Sequence, residues 1–338
     1  MFRWKPQLFL ISFFCKAALC VGQAEDPLPS WHEGQSKQAI IQFIKATTTD
    51  GSNDYIDTAD RIAVFDQDGT LWVEQPIYTQ FFFAIDRIKY MASKHPEWKN
   101  QQPYQTVLEG DIEKIQNFTI QEIEKIIAIS YAHMTVKEFK ETVQSWLTTA
   151  IHPRLKKPYT KLIYQPMLEV IKYFDVHGYK IYIVSGGGQE FIRAYSEKVY
   201  QIPPEQIIGT AAKVKYEYRD GNPVLIKLPE VLFIDDKSGK PEAINLFIGK
   251  QPIAAFGNSD GDQQMLEWSQ ASNGKSFQLL VHHDDPIREY KYDVDSKVGT
   301  FSHALMNEAK KKNWIVVSMK NDWKVIFPPD LDVQALCP

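Results

Sequence analysis

Cysteine is almost missing from this chain. Its 338 residues contain three, Cys15, Cys20 and Cys337, two near the amino end and one beside the final Pro338. No disulfide framework can be drawn across a body of this size from such a set, so the fold has to rest on a buried apolar core. The 44% hydrophobic content is enough for one. An excess of basic charge is also lacking: the net charge of −4 leaves no electrostatic footprint for nucleic acid. No apolar run is long enough for a comfortable membrane span, because Lys16 interrupts the stretch formed by residues 8–14 and 17–21. With Arg3 and Lys5 before it and Gly22-Gln23-Ala24 after it, that stretch has the layout of a secretory leader, residues 1–24. Leu19 is too bulky for a lipoprotein cleavage site before Cys20. The expected location is therefore outside the cytoplasm, periplasmic or secreted, with no membrane attachment once the leader is cut. Internal repeats and low-complexity tracts are absent as well.

What is present is concentrated in residues 61–72, Arg-Ile-Ala-Val-Phe-Asp-Gln-Asp-Gly-Thr-Leu-Trp. The apolar run 62–65 reads as a buried strand ending in Asp66, with Asp68 two residues on and a sharp turn at Gly69-Thr70. Ligands bind at the carboxyl ends of strands in open α/β sheets, which is where both acids fall. An ionised carboxylate needs no base before attacking phosphorus, and a second carboxyl can protonate a departing alkoxide and later take a proton from water. The plainer alternative is a strand followed by an Asx-type turn with both acids solvated.

Three later segments repeat the pattern of an apolar strand or helix start followed by a polar loop. They are Ile-Tyr-Ile-Val-Ser185-Gly186-Gly187-Gly188, Gly-Lys240-Pro-Glu-Ala-Ile, and Ile-Ala-Ala-Phe-Gly-Asn258-Ser-Asp260-Gly-Asp262. Together with Asp66-x-Asp68-Gly-Thr they resemble, in order, the four motifs of the haloacid dehalogenase superfamily. The second Asp resembles its phosphatases, and the Ser-Gly-Gly form its phosphoserine phosphatase-like branch. The resemblance implies an α/β fold: a Rossmann-like, mostly parallel sheet flanked by helices, with an inserted all-helical cap. It implies Mg²⁺ as cofactor and a small phosphate monoester as partner.

On the same resemblance, Asp66 is the nucleophile and Asp68 the acid–base. Ser185 binds a phosphate oxygen with the backbone of Gly186 and Gly187, and Lys240 neutralises charge. Lys237 is its rival; Pro241 suits a first helical position, which favours Lys240. Metal contacts fall to Asp66, Asp68 through its backbone carbonyl, Asn258, Asp260 and Asp262. Asn258 departs from the pattern, which has Asp there. An Asn carbonyl still binds Mg²⁺ but removes one negative charge, so Asp260 is an alternative direct ligand. Trp72, Glu74 and Tyr78 sit where substrate recognition would fall, whereas His282-His283-Asp284-Asp285 reads as a polar loop.

Between the motifs, helical periodicity begins near Pro76, read as a first helical position, and capping boxes open helices at Thr119 and Thr135. Residues 73–160 are expected to be the cap, and 25–72 with 161–338 the core. Further helices are expected at 36–47, 166–177, 189–200 and 302–311. Strands are expected at 181–184, 206–209, 277–281 and 314–318, with a hairpin over 213–228. The expected activity is Mg²⁺-dependent phosphomonoester hydrolysis through an aspartyl-phosphate. Its alternatives are phosphotransfer through the same intermediate, or a weakened phosphate-binding protein, the last suggested by Asn258.

Overall fold

The computed structural model describes residues 26–329, so the expected leader and all three cysteines lie outside the described residues. Seven strands form one sheet: β1 (Ile62–Phe65), β2 (Lys180–Gly188), β3 (Ile207–Arg219), β4 (Asn222–Phe233), β5 (Ala254–Gly257), β6 (Phe277–His282) and β7 (Ile315–Ser318). Their order is β4-β3-β2-β1-β5-β6-β7, and every pairing is parallel except β3 with β4. This is the Rossmann-like α/β sheet that the alternation of strands and helices implies.

Strand β1 is central and buried on both faces, which is why it reads as an unbroken apolar run. Ala63 and Phe65 join the larger core cluster, while Ile62 and Val64 join the cluster on the opposite face. Phe65 stacks on Phe256 of β5 at 4.2 Å between ring centroids, locking the two central strands together. Helix Gln165–Val176 covers the first face with Met167, Val170 and Phe174, and Gly178, at φ 80°, turns the chain into β2. No helix among the described residues is long and apolar enough to cross a membrane.

The chain between β1 and β2 is helical. Both capping boxes are formed, at Thr119 with Glu122 and at Thr135 with Glu138. Successive aromatic residues of helix Thr79–Met91 divide the work: Phe81 packs into a separate cluster with Trp98 and Tyr104, and Phe83 joins the main core. Pro76 does not open this helix. It follows a cis bond after Gln75, and helical structure starts at Thr79. The reason is tertiary: the Gln75 amide donates to Ser296 Oγ and Val298 O, and the His152 ring reaches Gln75 O, holding the segment away from the helix axis.

Two other local expectations change. The strands foreseen at 206–209 and 213–218 are one continuous β3, which leaves the parallel sheet and runs outward as a hairpin with β4 through Asp220-Gly221, both at positive φ. The helix foreseen over 189–200 is two short ones, Gln189–Arg193 and Ser196–Tyr200. They break at Tyr195, whose ring stacks on Trp72. The hairpin then docks on the helical stretch: Lys227 N–H donates to Met134 O at 2.8 Å, and His133 N–H donates to Lys227 O at 3.1 Å.

At that junction the Lys227 ammonium is buried over the rings of Tyr131 (4.5 Å) and Phe139 (4.7 Å). Burial pushes its pKa down to about 8, with Glu190 opposing. The folded value lies below the unfolded one, so between those two values the unfolded chain holds more protons and stability rises with pH. Lys227→Met should therefore stabilise the fold at pH 7 by roughly 2 kcal/mol, the desolvation relieved less the cation–π attraction lost. It should also flatten the rise in stability above pH 8. Urea melts at pH 7 and 9.5 check both, and a destabilised variant would contradict the assignment.

Candidate active site

β1, β2 and β5 end side by side on one edge of the sheet, and each delivers a motif there. Asp66 follows β1, its N–H donating to Phe256 O of β5 at 2.9 Å. The chain then turns back through Gly69 N–H to Trp72 O, also 2.9 Å, with Gly69 in the left-handed region at φ 77°. A Cβ there would stand 2.1 Å from Asn258 Nδ2 and 2.3 Å from Glu74 Oε1, so glycine is required both by conformation and by space. Asp68 Oδ1 accepts from Trp72 Nε1 at 2.7 Å.

The second motif is shaped by a register shift between β2 and β3, which pushes Gly186-Gly187 out of the ladder after Ser185. Gly187 N–H donates to Ser185 Oγ at 3.1 Å. A Cβ on Gly187 would lie 3.3 Å from both Ser185 Oγ and Asp68 Oδ2, so the serine loop and the second aspartate face each other.

Lys240 lies in the first turn of helix Gly239–Phe247. That helix starts two residues before Pro241, at Gly239, which packs against Ile234 O so closely that no Cβ fits. The buried ammonium donates to Asp66 Oδ1 (2.6 Å), Asp262 Oδ1 (2.6 Å) and Val184 O (3.0 Å). Lys237 is exposed, with left-handed backbone at φ 52°. Of the two lysines, Lys240 is the one brought to Asp66.

In the fourth motif two acids make contacts that hold the loop. Asp262 Oδ2 accepts the N–H groups of Asn258 (2.9 Å) and Ser259 (3.0 Å), while its Oδ1 holds Lys240. It thus braces the loop and holds the ammonium. Asp260 Oδ1 accepts from Ser302 N–H at 3.0 Å, anchoring the loop to the segment before helix His303–Lys312. Asn258, nearly fully buried, accepts from Thr70 Oγ1 through Oδ1 (3.1 Å) and donates through Nδ2 to Glu74 Oε1 (2.7 Å).

With four motifs meeting at one sheet edge, comparison with known proteins becomes informative. Residues 63–267 match the model of the haloacid dehalogenase-like hydrolase family. The chain belongs to that family. No curated protein matches it. Among solved structures, a protein of unknown function from Anaerococcus prevotii aligns over 86% of this chain and 94% of its own, at 14% identity and TM-score 0.53. A protein of unknown function from Bordetella pertussis aligns over 76% and 97%, at 15% identity and TM-score 0.48. A phosphoserine phosphohydrolase-like protein from Francisella tularensis aligns over 65% and 87%, at 19% identity and TM-score 0.36. The first of these shows a shared fold.

For a haloacid dehalogenase-like hydrolase the charge balance of this site is lopsided. Burial, then repulsion from Asp262, pushes the Asp66 carboxyl up, and Lys240 pulls it back. Asp68 is pushed up to about 6 by burial, with the Trp72 indole and Lys240 opposing. Burial also drives Glu74 well above the usual carboxylate range, and Asp68 and Asp66 add to it. Burial works against the Lys240 charge too, but Asp262, Asp66 and Asp235 outweigh it and keep its pKa above the ordinary lysine value. One ammonium therefore serves several carboxyls, and an added hard cation would relieve them. Among the described residues no group of three or more His, Cys, Asp or Glu side chains forms a cage for a metal. Oxygen atoms that could serve a hard cation here are those of the Asp66 carboxylate, the Asp68 backbone and the Asn258 side chain, with Asp260 and Asp262 in the same loop as Asn258.

Sequence reasoning missed several residues here. His283, read as part of a polar loop, is buried. Its Nε2 lies 2.7 Å from Gly69 O, its Nδ1 lies 3.2 Å from Glu289 Oε2, and its ring stacks on Tyr292. Asp284 and Asp285 turn elsewhere, to Ser318 and to Arg288. Gln80, in the first turn of helix Thr79–Met91, accepts from Gly188 N–H at 2.6 Å and so caps the serine loop. A lone His or Gln carries no sequence signal for such contacts, since the partners lie 214 and 108 positions away. A surface hollow of about 520 Å³ between Asp86, Arg87, Glu138 and Trp146 includes none of the motif residues.

Proposed function

We propose that this protein is a Mg²⁺-dependent phosphomonoesterase working through an aspartyl-phosphate on Asp66. One observation carries the reading: an ionisable Asp66 pinned by Lys240 at 2.6 Å, with Asp68 and Ser185 both lying against Gly187 of the serine loop. Mg²⁺, when bound, would neutralise charge between phosphate and nucleophile. The chain's own residues account for the remaining steps. Ser185 Oγ–H and the N–H groups of Gly186 and Gly187 hold the phosphoryl oxygens, and Lys240 offsets charge on Asp66. Asp66 bonds to phosphorus as the ester oxygen leaves, and that oxygen takes the proton held by Asp68. Asp68 then accepts a proton from water, which displaces Asp66 and releases inorganic phosphate.

Helix Thr79–Met91, which lays Gln80 on the serine loop, supports a covering role for the helical stretch between β1 and β2. The leader-like residues 1–24 support export, which amino-terminal sequencing of the mature protein checks.

The test is release of phosphate from an aryl phosphate by the purified chain with Mg²⁺. Activity should vanish with EDTA and return with added Mg²⁺; no release with any divalent cation would reject the reading. Repeating the assay with added alcohols distinguishes hydrolysis from transfer, since phosphorylated alcohol would mark the chain as a phosphotransferase.

A further inference from the structure

Asn258 withholds a negative charge at a position where the family pattern has Asp, and the structure puts a carboxylate directly against it. Glu74 Oε1 accepts from Asn258 Nδ2 at 2.7 Å and from Tyr292 O–H at 2.7 Å, and Glu74 is only 2% exposed. Its place is built rather than incidental. A Cβ on Gly69 would stand 2.3 Å from Glu74 Oε1, and one on Gly299, at φ 65°, would stand 1.8 Å from it. Two left-handed glycines thus leave room for this carboxylate, and Tyr292, backed by the His283 ring, fixes it. A carboxylate buried this deeply beside two aspartates is costly unless a cation compensates it.

We propose that Glu74 and Asn258 act as a displaced-charge pair, in which Glu74 supplies to the cation site, across the Asn258 amide, the charge that Asn258 lacks. Glu74 is a positioning residue here: it orients the amide and adds negative potential where the cation is held. The inference rests on the proposed Mg²⁺ dependence.

The deciding experiment exchanges the two groups. Calorimetric titration of the full chain with Mg²⁺ alone should show Glu74→Gln weakening binding at least tenfold. Glu74→Gln combined with Asn258→Asp, which returns one carboxylate to the pair, should recover to within about threefold of the unaltered chain. Asn258→Asp alone sets two carboxylates against each other and should melt below the double variant. Glu74→Gln binding Mg²⁺ as the unaltered chain does, or a double variant no tighter than Glu74→Gln, overturns the inference and leaves the phosphatase reading intact. If Glu74→Gln does not fold, the double variant still decides, because it restores the charge. The predicted binding pattern without phosphate release would instead reject the phosphatase reading alone. An unaltered chain that binds no Mg²⁺ overturns both.

Discussion

Asp66→Asn is expected to lower turnover of an aryl phosphate at saturating Mg²⁺ by about a thousandfold or more, while the protein stays folded. The substitution keeps the shape and leaves Lys240 an oxygen to donate to, but a neutral amide cannot attack phosphorus as a carboxylate does. The stability half of the result follows from the charge balance. Burial and Asp262 already push Asp66 toward its neutral form, so replacing it removes repulsion among buried acids. The variant should melt at or above the temperature of the unaltered chain. Initial rates together with thermal melts check both halves; a rate within tenfold of the original would remove Asp66 from the nucleophile's role.

Lys240→Ala should produce the opposite combination, losing stability as well as activity. The ammonium is 2% exposed and is shared by Asp66 and Asp262, so its removal strands two carboxylates in a buried site. Breaking a buried pair in this way costs about 3–5 kcal/mol. The pH dependence gives the claim its sign. In the variant Asp66, already pushed up by burial, loses the opposing ammonium; its folded pKa lies above its unfolded one, so the folded state holds more protons and is favoured as pH falls. The deficit relative to the unaltered chain should therefore be smaller at pH 5 than at pH 8. Urea melts at the two values measure it. A deficit that grows on acidification would mean that Asp66 and Asp262 are not what Lys240 compensates.

The two substitutions also separate roles that are merged in one hydrogen-bonded group. On these expectations Asp66 opposes the fold and carries the proposed chemistry, whereas Lys240 serves both. Asp262 belongs with Lys240: by holding the ammonium and the N–H groups of Asn258 and Ser259 it ties the helix carrying Lys240 to the loop after β5.

The amino-acid sequence alone determined the elements that are set by short-range pattern. Residues 62–65 are apolar without interruption because both faces of β1 are buried, and Thr119 with Glu122, and Thr135 with Glu138, open helices because capping is a contact between residues three apart. The motif residues were legible for the same reason, each being tied to the end of a local element. Tertiary structure decided what depends on residues distant along the chain. Pro76 lost its helical position to contacts with residues 296–298, and a predicted helix broke at Tyr195 where its ring meets Trp72. Likewise the contacts by which Asp262 and Asp260 brace the loop came from Lys240 and Ser302, distant along the chain. Asn258 reads as a weakened site from sequence alone; that Glu74, 184 positions earlier, meets its amide is decided by the fold. Periodicity records whether a side chain is buried, but not which other buried group it will meet. Only the packing of the sheet edge settles that.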